Sequence, residues 1–510
     1  MARSKAPKSR KKPSRKASSR AASKKAGPAR PWAVWIGCVI LGVAVLRLGV
    51  NALGLVPVHF DEAQYWAYGH ELTAGHFSKP PMVGWLILIA TEIGGDTTFW
   101  LRFWTVASHA VVAAMIFLTG RVLFDGRTGF WAAAGYTLAP GVSVSAMIMS
   151  TDPVMMMGWA VALYAWARAA EAKSPALWWG VVGAALGAAM LAKYTALAFA
   201  GGLIGYGLLS LRAWDWRGTA IVALSALLVF SPNLIWQIEN SFHTVAHVAE
   251  DAAPGGSVFN PAKFAEFTGA QLGVIGPIWF VAMLAALWTR RSWVEDWRVR
   301  LLAWQTFPLL LAMIAVSLTT RAHANWAAPA YIAGSILAAH WLLSRKWFSA
   351  LKWQAIVGAV GAAAVYAMAA VYGTMALDLP RGPDPFKKMR VSEPFCGPAL
   401  AAKAEEGAEL LLSTDRRRLS ECMFLGGLTF DQIAVWNPNL NPKNHHELVA
   451  TLRPGDHRRM VIAVMGGSSA GAAMAKHFDE ATEIETGRFE THADRGYGYT
   501  LWVVEGFRDY

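Results

Sequence analysis

The chain has 510 residues, 55% of them apolar and only 16% charged, with 25 tryptophans, a balance that excludes an ordinary soluble enzyme and points to a polytopic membrane protein. Its net charge of +13 suggests a nucleic-acid partner until the charge is located: residues 1–30 carry 12 Lys and Arg and no acid, leaving about +1 for the rest. The basicity is therefore a property of a tail, and no nucleic-acid partner is expected, because no aromatic residue interleaves those charges to stack on bases.

The tail, SKAPKSRKKPSRKASSRAASKKAGPAR, has no large apolar side chain, so it cannot bury enough surface to fold and is expected to be disordered over residues 1–30. Its expected role is topological, holding the N-terminus in the cytoplasm and lying on anionic lipid. Segments long enough to cross a bilayer follow at 32–53, 98–119, 128–147, 154–170, 176–192, 195–211, 218–238, 265–289, 301–319, 327–343 and 354–377. The first reads as an uncleaved anchor, since no small-residue cleavage site follows it. The fifth and sixth are short and meet around Lys193 and Tyr194.

Eleven spans with a cytoplasmic N-terminus place Arg121/Arg127, Arg168/Lys173, Arg212/Arg217, Arg290/Arg291 and Arg345/Lys346 on the inner side, as the positive-inside rule requires. The same parity exports the segment 54–97, the turn Ser150–Pro153, the loop 239–264, the loop Arg321–Trp326 and everything after about residue 378. The predicted fold class is thus mainly α, a polytopic membrane domain over 31–378 with interfacial helices. A small α/β domain over 379–510, periplasmic in a bacterium, follows the linker PRGPDP and contains the apolar runs Glu409–Leu412, Met460–Met465 and Tyr499–Val504. Cys396 and Cys422 lie in that region at a separation that permits a disulfide in an oxidising compartment, with two buried thiols as the alternative. Cys38 is expected to pack within the first span.

The exported segment His59–Trp85 puts Asp61 and Glu62 directly after the first span. Carboxylates at membrane depth cost about 2.5–3.5 kcal/mol each on insertion scales, so such a pair suggests chemistry. Residues 60–75 are too polar to span but suit an interfacial helix, with Asp61 in its first turn and Tyr65 and Gly69 following on the same face. Lys79 precedes Pro80 and Pro81, which start a second interfacial helix at 82–94. Asp152 stands at the mouth between the third and fourth spans, where capping the helix before Pro153 is the competing reading. Lys193 can snorkel or meet a phosphate. Arg321, His323, Asn325 and Trp326 form a further polar cluster, while His243, His247 and Glu250 are too loosely spaced for a metal site and read as solvated loop residues.

HFDEAQYW, FSKPP, STDP and AKYTAL resemble the motifs of the GT-C fold, polyprenyl-phosphate-sugar-dependent glycosyltransferases, which include the protein O-mannosyltransferases and the aminoarabinose and galacturonic acid transferases of lipid A. The resemblance runs over roughly residues 30–345. The stretch WNPNLNPKNHHEL is more similar to the C-terminal segment of the lipid A and polysaccharide relatives than to that of the mannosyltransferases. It implies transfer of a sugar from a polyprenyl-phosphate donor to a lipid A or other cell-envelope glycan at the outer face of the bacterial inner membrane. A protein acceptor, or lipid-linked sugar transport without catalysis, are the alternatives. Asp61 matches the catalytic acid, Asp152 the second acid and Lys79 the first-loop lysine. Lys193 and Arg321 are expected to hold the donor phosphate with Lys79, and Tyr65, Trp66, Trp85 and Glu62 to contact substrate. Some relatives place a metal-site acid just before the lysine; here that position is Ser78, so no metal and no other cofactor is expected. A double displacement needs two carboxylates about 5–5.5 Å apart, whereas helical neighbours face apart, so one acid and an inverting single displacement are expected, with Glu62 pairing with a neighbouring cation or capping the helix as the reading that competes with substrate contact.

Overall fold

The computed structural model describes residues 31–208, 215–242, 244, 259–289, 293, 295–320, 322–467 and 469–510. The first apolar run forms α1 (Trp32–Ala52), and the two interfacial helices follow as α2 (Phe60–Glu71) and α3 (Met82–Gly94). They touch backbone to backbone: a Cβ on Gly69 would lie 2.5 Å from the carbonyl oxygen of Gly84, so only glycines permit this approach. Leu72 closes α2 in the left-handed conformation (φ 51°).

The bundle continues with α4 (Thr98–Leu101), α5 (Phe103–Leu123), α6 (Gly126–Thr137), α7 (Pro140–Ser145), α8 (Thr151–Glu171), α9 (Ala176–Ala192), α10 (Leu197–Leu208) and α11 (Trp216–Glu239). After these come α12 (Pro261–Ile275), α13 (Pro277–Trp288), α14 (Trp297–Ser317), α15 (Ala330–Ser344) and α16 (Phe348–Met375). Among the described residues five helices, counting α4 with α5, are long and apolar enough to cross a membrane on their own, and six if α12 and α13 form one span. The other predicted spans fall short of that length or hydropathy.

Two predicted spans are broken. The segment 128–147 divides before Pro140, whose ring cannot continue a helix, and Arg47 of α1 donates to the freed carbonyl of Thr137 at 2.7 Å. The segment 265–289 bends by 111° at Gly276, which takes φ +94° ahead of Pro277 at the start of α13. Gln354 closes the break, donating to Ile275 O at 2.8 Å and accepting from Trp279 N at 3.2 Å.

Beyond α16, the chain forms α17 (Ser392–Glu405), β1 (Leu410–Ser413), α18 (Arg416–Gly426), β2 (Ile433–Val435), α19 (His445–Ala450), β3 (Met460–Met465), α20 (Ser469–Ala475), β4 (Phe478–His492) and β5 (Arg495–Phe507). The sheet order is β2-β1-β3-β5-β4, parallel on either side of β1 and antiparallel from β3 to β5 to β4. Cys396 of α17 and Cys422 of α18 are disulfide-bonded, whereas Cys38 is exposed on α1. This sheet region seats on α2: Trp66 meets Phe424 edge-on at 5.6 Å, and the Arg417 guanidinium lies 5.1 Å over the Phe60 ring.

Candidate active site

Neighbouring acids in α2 have opposite fates. His59 caps the helix, and Glu62, at the third position, reaches back to the His59 amide, closing a capping box. A helical step turns the Glu62 carboxylate inward, where it is 0% exposed. Its Oε1 accepts from Arg102 Nε at 2.8 Å and Met149 N at 2.6 Å; its Oε2 accepts from Arg102 Nη2 at 2.8 Å and His59 N at 2.9 Å. All its lone pairs are committed, so Glu62 fixes α2 to Arg102, just ahead of α5, and to the chain before α8; it pairs with a cation and caps the helix, and the competing expectation that it binds substrate is corrected.

Asp61 faces the other way, its side chain 40% exposed. His59 Nδ1 lies 3.6 Å from Asp61 Oδ2, but that nitrogen accepts the Asp61 amide at 3.2 Å, so it carries a lone pair and the contact is no ion pair. Tyr65, one turn on, is buried, and burial together with the carboxylates of Asp61 and Asp152 raises its hydroxyl well above the usual phenol range. The Arg416 guanidinium of α18 acts in the opposite sense on both Tyr65 and Tyr68. Arg416 is half-buried and was missed in the sequence, where it is one of three consecutive arginines.

The second acid is no helix cap. Ser150 holds the N-cap position of α8 without a side-chain bond, and Asp152 lies inside the first turn. Its Oδ1 accepts from Lys193 Nζ at 2.7 Å and its Oδ2 from Asn325 Nδ2 at 2.7 Å. Lys193 reaches it because α9 ends there and the residue turns extended before a 3-10 turn, Tyr194–Ala196. Asp152, Asn325, Ser150, Ser145, His109, Tyr136 and Tyr331 give polar character to a cavity of about 570 Å³ whose apolar wall includes Val142, Val144, Ile148, Met156, Val274 and Val365. Such a chamber suits an apolar chain carrying a polar head.

The loop from α2 to α3 is fixed from several sides. Trp85 is half-buried and donates to Thr73 O at 3.1 Å; Asn233 donates to Ala74 O at 2.8 Å; and Thr244 donates to His76 O at 2.8 Å. The carbonyl of Lys79 accepts the His76 amide at 3.0 Å, and its side chain is half-buried. Trp66 does not line a substrate surface: it is buried and donates to Asp96 Oδ1 at 2.6 Å, which corrects its assignment to substrate. Trp85 thus holds the loop through its ring nitrogen, whatever its ring face meets. Arg321, His243, His247 and Glu250 lie outside the described residues.

Known proteins resemble this chain in sequence and in fold. Residues 78–236 match the family model described as dolichyl-phosphate-mannose-protein mannosyltransferase. The chain is 30% identical over 410 residues, 80% of its length and 86% of the relative's, to the lipid A galacturonosyltransferase RgtD of Rhizobium johnstonii. Among solved structures it resembles ArnT of Cupriavidus metallidurans bound to undecaprenyl phosphate, with a TM-score of 0.64 and 14% identity over 93% of this chain and 98% of that one. The apo form of that ArnT gives 0.62 at 16% identity over 92% and 97%. The oligosaccharyltransferase of Archaeoglobus fulgidus gives 0.51 at 13% identity, over 79% of this chain and 65% of that one. The chain is a multi-pass membrane glycosyltransferase and belongs to the GT-C family of polyprenyl-phosphate-sugar-dependent enzymes, with the lipid A sugar transferases and protein O-mannosyltransferases.

Proposed function

We propose that the chain moves one sugar from a polyprenyl-phosphate donor to lipid A, lipopolysaccharide or another cell-envelope glycan on the periplasmic face of the inner membrane, with inversion. The observation that carries this reading is the Asp152–Lys193–Asn325 cluster beside a largely apolar chamber, with the accessible Asp61 carboxylate near enough that it and Asp152 both raise the Tyr65 hydroxyl. The identity with a lipid A galacturonosyltransferase and the undecaprenyl phosphate bound by the ArnT neighbour support the acceptor and donor classes.

In this reading Asp61 takes the proton of the acceptor hydroxyl as its oxygen bonds to the anomeric carbon. The bond from that carbon to the phosphate oxygen breaks, and the electron pair leaves with the lipid phosphate. Lys79, Lys193 and Arg416 take up the charge on that phosphate; Lys193 spends one of its three protons on Asp152 and keeps two for the ligand. Asp152 orients Lys193 and Asn325. With Glu62 locked to Arg102 and both Asp152 oxygens engaged, Asp61 alone of the three acids is placed to attack or to activate, which favours single displacement. The basic tail is assigned to the cytoplasm and the sheet region to the periplasm.

The family match over residues 78–236 also supports a peptide acceptor with the same donor. Purified protein given a labelled polyprenyl-phosphate sugar together with either lipid A or a Ser/Thr peptide decides between them. Label on lipid A, with the anomeric configuration opposite to the donor's, supports the proposal. Label on the peptide alone overturns the acceptor, and hydrolysis or translocation without transfer to either overturns the reading.

A further inference from the structure

At the far end of α2, three side chains that the transfer chemistry does not use converge from two parts of the fold. Glu71 is the last residue of the helix. The chain turns at Leu72 and brings His76 back beneath it, where the ring stacks on Tyr68 at 4.0 Å with 7° between planes. His445, the first residue of α19, enters from the sheet region and meets the His76 ring edge-on at 5.0 Å. Glu71 Oε2 is 2.5 Å from His445 Nε2 and 3.6 Å from His76 Nε2, and all three ligand atoms lie within 4.8 Å of one another. His76 is 0% exposed and its Nδ1 has no partner among the described residues; Glu71 keeps 19% of its side chain exposed, which leaves an open edge.

We propose that Glu71, His76 and His445 form a binding site for one divalent transition-metal ion, most suitably Zn2+, with water as fourth ligand. Zinc bonds of about 2.0–2.2 Å to nitrogen and oxygen in a tetrahedral set place ligand atoms roughly 3.3 Å apart, a spacing that lies between the 2.5 Å and 3.6 Å separations measured from Glu71. Two imidazoles and one carboxylate suit a borderline metal; Ca2+ and Mg2+ demand more oxygen. In the arrangement described, Glu71 accepts the Nε2 proton of His445, while His445 Nδ1 accepts the Phe77 amide at 3.3 Å. Metal binding needs the Nε2 lone pair, so the single ring proton of His445 moves from Nε2 to Nδ1, which opens the Phe77 contact. His76 Nε2 likewise exchanges its contacts with Tyr68 O at 3.2 Å and Thr73 Oγ1 at 3.1 Å for the ion.

The ion is a positioning element. Glu71 stands ten residues after Asp61 on one helix, roughly 15 Å along its axis at 1.5 Å per residue, too far to touch the reacting atoms. It joins α2 to the sheet region and fixes His76, whose amide bonds the carbonyl of Lys79 at 3.0 Å. Metal content reads this site whether or not the transferase reading holds.

The test uses full-length protein with a histidine-free affinity tag, purified in detergent without chelator, and measures metal by mass spectrometry. About one zinc per chain is expected in wild type and in the control His446→Gln, whose native imidazole bonds Ser420 instead; Glu71→Gln and His445→Gln should fall below about a tenth of that. Chelator-stripped wild type should take up one Co2+ with the strong visible bands of four-coordinate cobalt and regain the melting temperature lost on stripping. Wild type that contains no stoichiometric metal, shows no cobalt bands and melts unchanged with either ion overturns the proposal; so do folded Glu71→Gln and His445→Gln proteins that retain full zinc. If those variants fail to fold, the wild-type metal content and cobalt spectrum decide.

Discussion

Replacing Glu62 by Gln should damage stability where replacing its neighbour Asp61 by Asn should damage turnover. Glu62 accepts four hydrogen bonds, two on each oxygen, at 2.6–2.9 Å. A glutamine keeps one oxygen and turns an NH2 toward the two donors on the other side, so two bonds are lost and donors face donors. The change also leaves the Arg102 guanidinium, 1% exposed, with no anion, only the retained amide oxygen and the carbonyls of Val56 and Pro57. Breaking a buried pair from one side costs about 3–5 kcal/mol, and the deficit here belongs at the upper end because Met149 N or His59 N loses its acceptor as well. Asp61, exposed and unpaired, should cost less than about 1 kcal/mol on amidation. Thermal melting of the detergent-solubilised variants beside wild type reads the difference: a large drop for Glu62→Gln and almost none for Asp61→Asn. A Glu62→Gln protein that melts like wild type yet fails to turn over would refute the structural role and make Glu62 a participant in the reaction.

Gly84→Ala should cost about 1–3 kcal/mol, because its Cβ would lie 2.9 Å from Gly69 N and 3.2 Å from Tyr65 O, backbone atoms that cannot yield; a shift in melting temperature checks it. Burial, with the nearby His445 and Arg416, holds His446 down at about 3 against an ordinary 6.5. Its depressed value gives stability that is present above pH 6.5 and lost as pH falls toward 3, by about 1.4 kcal/mol per pH unit for one proton. His446→Gln should flatten the melting profile by that slope, and an unchanged slope would contradict the burial argument. Arg416→Ala should raise the donor KM by roughly 10- to 150-fold, in line with about 1.5–3 kcal/mol for a charge-assisted bond, with little change in melting temperature. Arg417→Ala, which removes only a guanidinium stacked on Phe60, should leave KM near wild type.

Local patterns were the legible part of this chain. Pro80–Pro81 delimited α3, and aromatic spacing found the start of α2, which ends at Glu71 rather than at the expected residue 75; the runs at Met460–Met465 and Tyr499–Val504 fall in β3 and β5. The Lys193–Tyr194 junction stood out because two short apolar segments met there, and the structure uses that break to bring Lys193 to Asp152. Contacts between distant segments were hidden. Which member of the Asp61–Glu62 pair turns inward depends on Arg102, 40 residues away. Glu71 meets His445 across 374 residues, and its nearby partner His76 did not mark the pair as ligands without that distant third member. The bend at Gly276–Pro277 had a local signal, a glycine before a proline, that apolar composition overrode in the reading of one continuous span.

The most direct measurement is transfer of labelled sugar from a synthetic polyprenyl phosphate to lipid A by purified wild type and by Asp61→Asn, each shown to be folded by its melting curve. Loss of a positioned base predicts a fall of about 10²–10⁴-fold in turnover with the melting temperature preserved. An Asp61→Asn protein that transfers at the wild-type rate would contradict the assignment of Asp61 and the reaction built on it.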